Sequence, residues 1–393
     1  MPAPSQLNSR ATSKHDVAQQ HGPGRSDVQS LLQFSARGLG AMFDKEKQAF
    51  CHRLLSTNQG LVSEGISPRY TIMTLLGLKE WESAGGKSSF DLRAIYSSFV
   101  RDAKWIDGAG DTGLLLWLIA AFEPNDVEKI FHSLDCKTAL DRFVDARERH
   151  TMELSWFLSG LAHAAETNPK LTGSLMDLAM KTYRVIMENQ GQHGFFGHKG
   201  TKSSLSGFLR GAIGSFADQV YPTYALSKFA KAFHVEDALN PAVACATSIC
   251  RAQGKLGQWW WLYDARSGRV SSRYPVYSVH QHGMAPMCLF AVQDATGKSF
   301  EEPLYKGLAW IYGSNELGVD IRDANQTLIW RCILPKNRRS KFWDITVNAI
   351  KPSNSEDQRR PLEVLHEQRP YEYGWLLYAF AKHSPSDEFP SNS

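Results

Sequence analysis

No apolar run in this chain reaches the roughly 18–20 residues that a membrane-spanning helix requires. The best candidate, Gly113–Phe122, is about half that length. Cysteine pairs at metal spacing are missing as well. Cys51, Cys136, Cys245, Cys250, Cys288 and Cys332 contain no C-x-x-C and no regular spacing. Neither a zinc cluster nor a disulfide framework is therefore expected, and the thiols read as reduced and buried in a cytoplasmic protein. A charge excess is lacking too: 44 Lys+Arg against 40 Asp+Glu leaves a net +4, too small and too dispersed for a nucleic-acid partner. The first 25 residues have no apolar core, so they read as a polar tail and not as a secretory signal peptide. What remains is a chain with 42% hydrophobic and 21% charged residues, a composition that excludes disorder throughout and fibrous repeats.

Helical periodicity dominates and strand-like alternation is scarce. Six segments combine an aromatic or polar opening with an apolar helix rich in Leu, Ala and Gly: 68–81, 110–122, 152–166, 218–233, 279–293 and 371–383. Few charges interrupt them, as expected of helices buried on most sides. Each follows a more amphipathic stretch, at 27–55, 90–104, 136–149, 170–189, 237–252 and 299–313. Asn168-Pro169 and Asn240-Pro241 mark two of these starts, with Asn as cap and Pro in the first turn. Alternating pairs of this kind close on themselves with the apolar helices inside. The sequence predicts an all-α (α/α)6 toroid over residues 26–384, with polar tails at 1–25 and 385–393.

The loops give the toroid a polarity. Returns from an inner helix to the next outer helix are short, such as 234–236 and 294–298. Several connections into inner helices are long: 190–217, 253–278 and 314–370. Parallel inner helices place all of these long loops on one rim, beside the inner-helix N-termini, where function is expected.

Two outer helices end in related sequences, Gln190-Gly191-Gln192-His193-Gly194-Phe195-Phe196 and Gln253-Gly254-Lys255-Leu256-Gly257-Gln258-Trp259, and Ser314–Asp320 is a degenerate third copy. The pattern Q-x-x-x-G-x-aromatic resembles the Q-W repeat of the terpenoid cyclase and protein prenyltransferase toroids. That resemblance implies the same toroid over most of the chain, with each Gln capping a helix end and the aromatic ring stacking nearby. The catalytic signatures of those enzymes are absent. No two aspartates are adjacent, so neither D-x-D-D nor D-D-x-x-D can occur, and Asp135-Cys136 has the wrong spacing for the prenyltransferase zinc pattern.

The densest chemical cluster runs from Gln258 through Trp259, Trp260 and Trp261 to Arg273, Tyr274, Tyr277, His280 and His282. Three consecutive tryptophans cannot all face one core, so at least one should line a surface or cavity. Indoles stack on sugar C–H faces and equally stabilise cations. His280 and His282 open an inner helix, and an imidazole there serves as acid or base near neutral pH. Their i,i+2 spacing turns them to different faces, which disfavours joint metal binding. Other inner-helix openings supply Tyr70, Asp111, Glu153, Asp218, Tyr221, Tyr371 and Tyr373. Asp111 with Glu153 has the makings of a glycosidase carboxylate pair, although acids at helix starts also simply meet the positive helix end. Arg273 is the candidate to neutralise a uronate carboxylate, with Tyr274, Tyr277 or His280 as the base.

Three function classes follow. The leading one is a carbohydrate-active toroid of lyase, epimerase or hydrolase type, acting in polysaccharide metabolism without a cofactor or metal. The second is an isoprenoid cyclase-like enzyme. The third is a non-catalytic toroid that binds a glycan or a protein partner. Catalysis is assigned to His280, Tyr277, Tyr274, Glu153 and Asp111. Substrate contact is assigned to Trp259, Trp260, Trp261, Tyr221, Arg273, Tyr373 and His282.

Overall fold

A computed structural model of the chain describes residues 25–101, 103–145, 150–199, 211–336 and 360–383. The expected tails, all but Arg25, lie outside the described residues, as does all but Lys336 of the basic loop sequence 336–341, which reads as a solvated face. The helices are α1 (Arg25–Gly38), α2 (Pro68–Ser83), α3 (Leu92–Arg101), α4 (Ala109–Phe122), α5 (Val127–Ser133), α6 (Cys136–Asp145), α7 (Thr151–Thr167) and α8 (Thr172–Met187). They continue with α9 (Ala217–Phe233), α10 (Leu239–Ala252), α11 (Ala285–Thr296), α12 (Glu301–Ala309) and α13 (Pro370–Phe380).

The inner ring is α2, α4, α7, α9, α11 and α13, each packed on the next, and α13 returns to α2 to close the circle. Burial explains the apolar composition. In α4 every residue from Ala109 to Ala120 is buried, as a helix surrounded by neighbours requires. Glycine sets the spacing at two inner crossings. A Cβ on Gly77 of α2 would sit 2.0 Å from the Gly374 carbonyl oxygen of α13, and one on Gly160 of α7 would sit 2.2 Å from the Gly113 carbonyl oxygen of α4. The chain is an α/α toroid.

One expected outer helix is corrected. The stretch 27–55 is helical only to Gly38, followed by a short 3-10 turn to Met42. From there the chain forms antiparallel strands, Phe43–Asp44, Ala49–Thr57 and Gly60–Ile66. Asp44 accepts hydrogen bonds from the amides of Glu46 and Lys47, which folds the first turn. Gly60, at φ +107°, makes the second. Other short strands lie in the long loops, including Val276–Tyr277 paired with Cys332–Pro335, so the mouth rim carries sheet that periodicity did not reveal.

The glutamine motifs are backbone staples. Gln190 Nε2 donates to the Gly194 carbonyl and to the Pro241 carbonyl of the next outer helix, both at 3.0 Å. Gln253 repeats this with Gly257 at 3.1 Å and Pro303 at 2.7 Å. In the third copy Asn315 Nδ2 reaches the Val319 carbonyl at 2.7 Å. The closing aromatics, Phe196 and Trp259, are fully buried. Their amides donate to Gln219 in the first turn of α9 and to Gln281 in the π-helical turn that precedes α11.

Candidate functional site

At the N-terminal ends of the inner helices the toroid opens into a cavity of about 470 Å³. Arg69, Tyr70 and Met73 of α2, Met152 and Trp156 of α7, Ala217 and Tyr221 of α9, and Tyr371 of α13 line it. His280 and Met284 join them from the π-helical turn that precedes α11. Loops and strands add His52, Ser67, Ser215, Trp261, Tyr277 and Arg331. Six aromatic side chains thus surround two arginines and two histidines. The Tyr70 ring lies 4.5 Å from Tyr371 and 5.5 Å from His52, centroid to centroid. Arg69 lies 5.5 Å from the Trp156 ring and Arg331 5.0 Å from Tyr277.

Beneath the cavity the axis is filled by aromatic rings. Trp375 Nε1 donates to the Tyr221 hydroxyl at 2.9 Å. Trp117 stacks on Trp375, His163 and Tyr224, and the Tyr224 and Tyr378 hydroxyls are 2.6 Å apart. The mouth is therefore a pocket with a floor and not a channel.

Of the residues singled out from sequence, Trp261, Tyr70, Tyr221, Tyr277, His280 and Tyr371 line this cavity. His280 is buried against Phe216 and Tyr277, and burial pushes its imidazole down to about 3. Burial thus favours the neutral imidazole at the cavity wall. His282 is completely buried, pushed down to about 3 by that burial, and away from the cavity wall.

Arg273 and Tyr274 also stand apart. They lie between the strands Arg269–Ser272 and Val276–Tyr277 and outside the cavity lining. Arg273 is exposed over the outer face of Trp260, and Tyr274 packs edge-on to the same ring. Tyr373 is buried in the packing of α13, where its hydroxyl accepts from the Ile329 amide at 2.8 Å. Asp111 and Glu153 lie behind the wall. Arg69 Nε bonds Asp111 at 2.5 Å, and Arg69 Nη2 is 3.5 Å from Glu153. The other Asp111 oxygen accepts the Asp107 amide, so this carboxylate serves to fix an arginine.

Trp259 is a core residue stacked on Phe216. Trp260 donates its indole N–H to the Ala252 carbonyl at 2.8 Å. Only the third member of the trio faces the cavity. Trp259→Ala should lower stability by about 3–5 kcal/mol, as expected for emptying a buried indole site. Trp261→Ala should leave the melting temperature within a few degrees and weaken binding of any ligand stacked on that indole about tenfold, the size of one lost stacking contact. Thermal melts and calorimetric titration check the pair, and equal losses of stability would contradict the distinction.

Arg69, Arg331, His52 and Trp156 were not picked out from sequence. Arg69 sits beside Tyr70 in an inner-helix opening, so it carried a readable signal. Arg331 had a weaker one: a single charge within the apolar run Leu328-Ile329-Trp330-Arg331-Cys332-Ile333. Among the described residues no group of three or more His, Cys, Asp or Glu side chains is placed to hold a metal ion. Nor is any described helix long and apolar enough to cross a membrane.

No protein-family model matches the chain, and no curated protein matches it in sequence. Solved structures do share its fold. A sugar epimerase from a ruminal bacterium superposes with TM-score 0.60 at 10% identity, over 92% of this chain and 99% of that one. A possible GH105 family member from Klebsiella pneumoniae gives 0.57 at 12% identity, over 96% and 99%. A mutant unsaturated glucuronyl hydrolase from Streptococcus agalactiae, complexed with dGlcA-GalNAc6S, gives 0.55 at 10% identity over 94% of each chain.

These matches correct the kinship inferred from the glutamine motifs. The structural neighbours are sugar-processing toroids, not terpenoid cyclases or protein prenyltransferases. The physical reason lies in the motif itself. Its hydrogen bonds join outer helices to one another, a service any α/α toroid can use whatever its mouth binds.

Proposed function

We propose that this protein is a carbohydrate-active enzyme that takes the end of an anionic, uronate-bearing glycan into the mouth of the toroid. The observation that carries this reading is the pairing of Arg69 and Arg331 with six aromatic side chains in one floored cavity. Aromatic faces suit sugar C–H surfaces, and a guanidinium suits a carboxylate. In this reading Arg331 takes the part first given to Arg273 and neutralises the uronate carboxylate. The hydrogen on the adjacent carbon is then acidified, and Tyr277 is the proposed proton-transfer group, since its ring lies 5.0 Å from that guanidinium on the cavity wall. His280 contributes a neutral hydrogen bond, and Trp261 and Tyr221 contribute wall. Proton abstraction beside a carboxylate is lyase or epimerase chemistry. Hydrolysis is the second reading, favoured by Glu153, whose side chain is 18% exposed and 3.5 Å from the cavity-lining Arg69.

Saturated and 4,5-unsaturated uronate oligosaccharides, incubated with the protein and followed by ultraviolet absorbance and mass spectrometry, separate these reactions. Elimination creates an absorbing double bond, hydrolysis of the unsaturated sugar removes one, and epimerisation changes neither absorbance nor mass but appears by NMR. Tyr277→Phe should lower turnover about 10²–10⁴-fold, the range of a lost acid–base group, while Glu153→Gln stays active if the first reading holds. The reverse pattern would move the assignment to hydrolysis. No binding and no turnover of any uronate would overturn both.

A further inference from the structure

On this anionic-sugar reading, we propose that Glu372 couples ligand binding to a proton: when a carboxylate lands on Arg331, Glu372 behind it becomes protonated. The geometry is a guanidinium with two sides. One side of Arg331 faces the cavity. The other is held by two glutamates, Glu372 through its Oε1 and Glu367 through its Oε1 at 3.4 Å.

The two glutamates are not equivalent. Glu367 also meets Arg369 at 2.8 Å and Arg53 at 3.9 Å, so three guanidinium groups hold its charge. Glu372 is 0% exposed, and among the described residues it is ion-paired with Arg331 alone and its Oε2 has no hydrogen-bond partner. A buried carboxylate oxygen without a donor favours the protonated acid. The charged and titratable groups acting on Glu372 are Arg331, Arg369 and Glu367, with Tyr371 and Tyr373 of its own helix. Burial outweighs the pull of the two arginines and pushes the Glu372 carboxyl up to about 7.

A ligand anion on Arg331 adds negative charge beside Glu372 and raises its affinity for a proton further. The sign follows. Below about pH 7 Glu372 is already protonated, so anion affinity is flat. Above it each bound anion brings a proton, and affinity falls as pH rises, by at most tenfold per pH unit for one linked proton. Glu372 is thus a positioning residue for the anion site, acting through Arg331.

The test is calorimetric titration of the full chain with D-glucuronate above neutral pH, in buffers of different ionisation enthalpy, with D-glucose as the neutral control. Glucuronate should bind with net proton uptake and the pH dependence above. Glu372→Gln should still bind it, with the uptake gone and the pH profile flat. His52 also lines the cavity, and His52→Asn should keep the uptake. Should Glu372→Gln fail to fold, difference infrared spectroscopy of the unaltered protein replaces it. The carbonyl band of a protonated carboxylic acid should then appear on glucuronate addition above neutral pH, and its absence would overturn the proposal. Glucuronate binding without proton uptake, uptake that survives Glu372→Gln, or uptake lost in His52→Asn would each overturn it while leaving the anionic-sugar reading standing. No glucuronate binding at any pH would remove both.

Discussion

Gly77→Val should cost at least about 3 kcal/mol and lower the melting temperature by many degrees, because it drives a branched side chain into the seam where the ring closes. The added Cβ alone would lie 2.0 Å from the Gly374 carbonyl oxygen and 2.8 Å from its Cα. These are backbone atoms that no rotamer change can move aside. Overpacking of interiors costs about 1–3 kcal/mol when side chains can yield, and here they cannot. Gly374→Val should behave alike, since its Cβ would meet the Met73 carbonyl oxygen at 2.5 Å. Gly173 supplies the control. It lies in the first turn of α8 with nothing within 4 Å of an added Cβ, so Gly173→Ala should be neutral or stabilising by up to about 1 kcal/mol. Chemical denaturation of the three variants checks the set, and wild-type stability in Gly77→Val would mean that α2 and α13 do not meet in this way.

Arg331→Gln should abolish anion recognition, lowering affinity for uronates on the order of 10²–10³-fold, in the range found when one member of a buried charge pair is truncated. Its effect on stability should be smaller than that of an ordinary broken buried pair, for which about 3–5 kcal/mol is typical. Glu372, with its carboxyl already near 7, can neutralise itself by taking a proton. The double variant Arg331→Gln/Glu372→Gln should therefore regain stability without regaining affinity. Denaturant melts and glucuronate titration read the two effects separately. Uronate affinity retained in Arg331→Gln would place the anion elsewhere in the mouth, with Arg69 next in line.

Local pattern was enough for the ring and its polarity. An inner helix must be apolar on nearly every side, and that requirement writes itself into contiguous residues such as Gly110–Phe122. The glutamine staples were equally legible, because Gln190 and Gln253 act on carbonyls four residues along the chain. Their meaning for kinship was not, since a staple carries no information about the mouth. The first outer segment was misread because its strands form through turns at Asp44–Gln48 and Thr57–Gly60, and two short strands leave a weaker periodic signal than one long helix.

Sequence by itself determined that six apolar helices would line the inside and that long loops would gather at one end of them. Both follow from burial patterns and loop lengths within the chain. Tertiary structure alone decided which side chains meet at that end. Arg331 arrives on the segment between α12 and α13, one residue before the strand Cys332–Pro335, Arg69 is turned by Asp111 forty-two positions away, and one tryptophan of three faces the cavity. The reason is physical: burial is encoded residue by residue, whereas a site is a convergence of distant segments whose directions are set only when the ring closes.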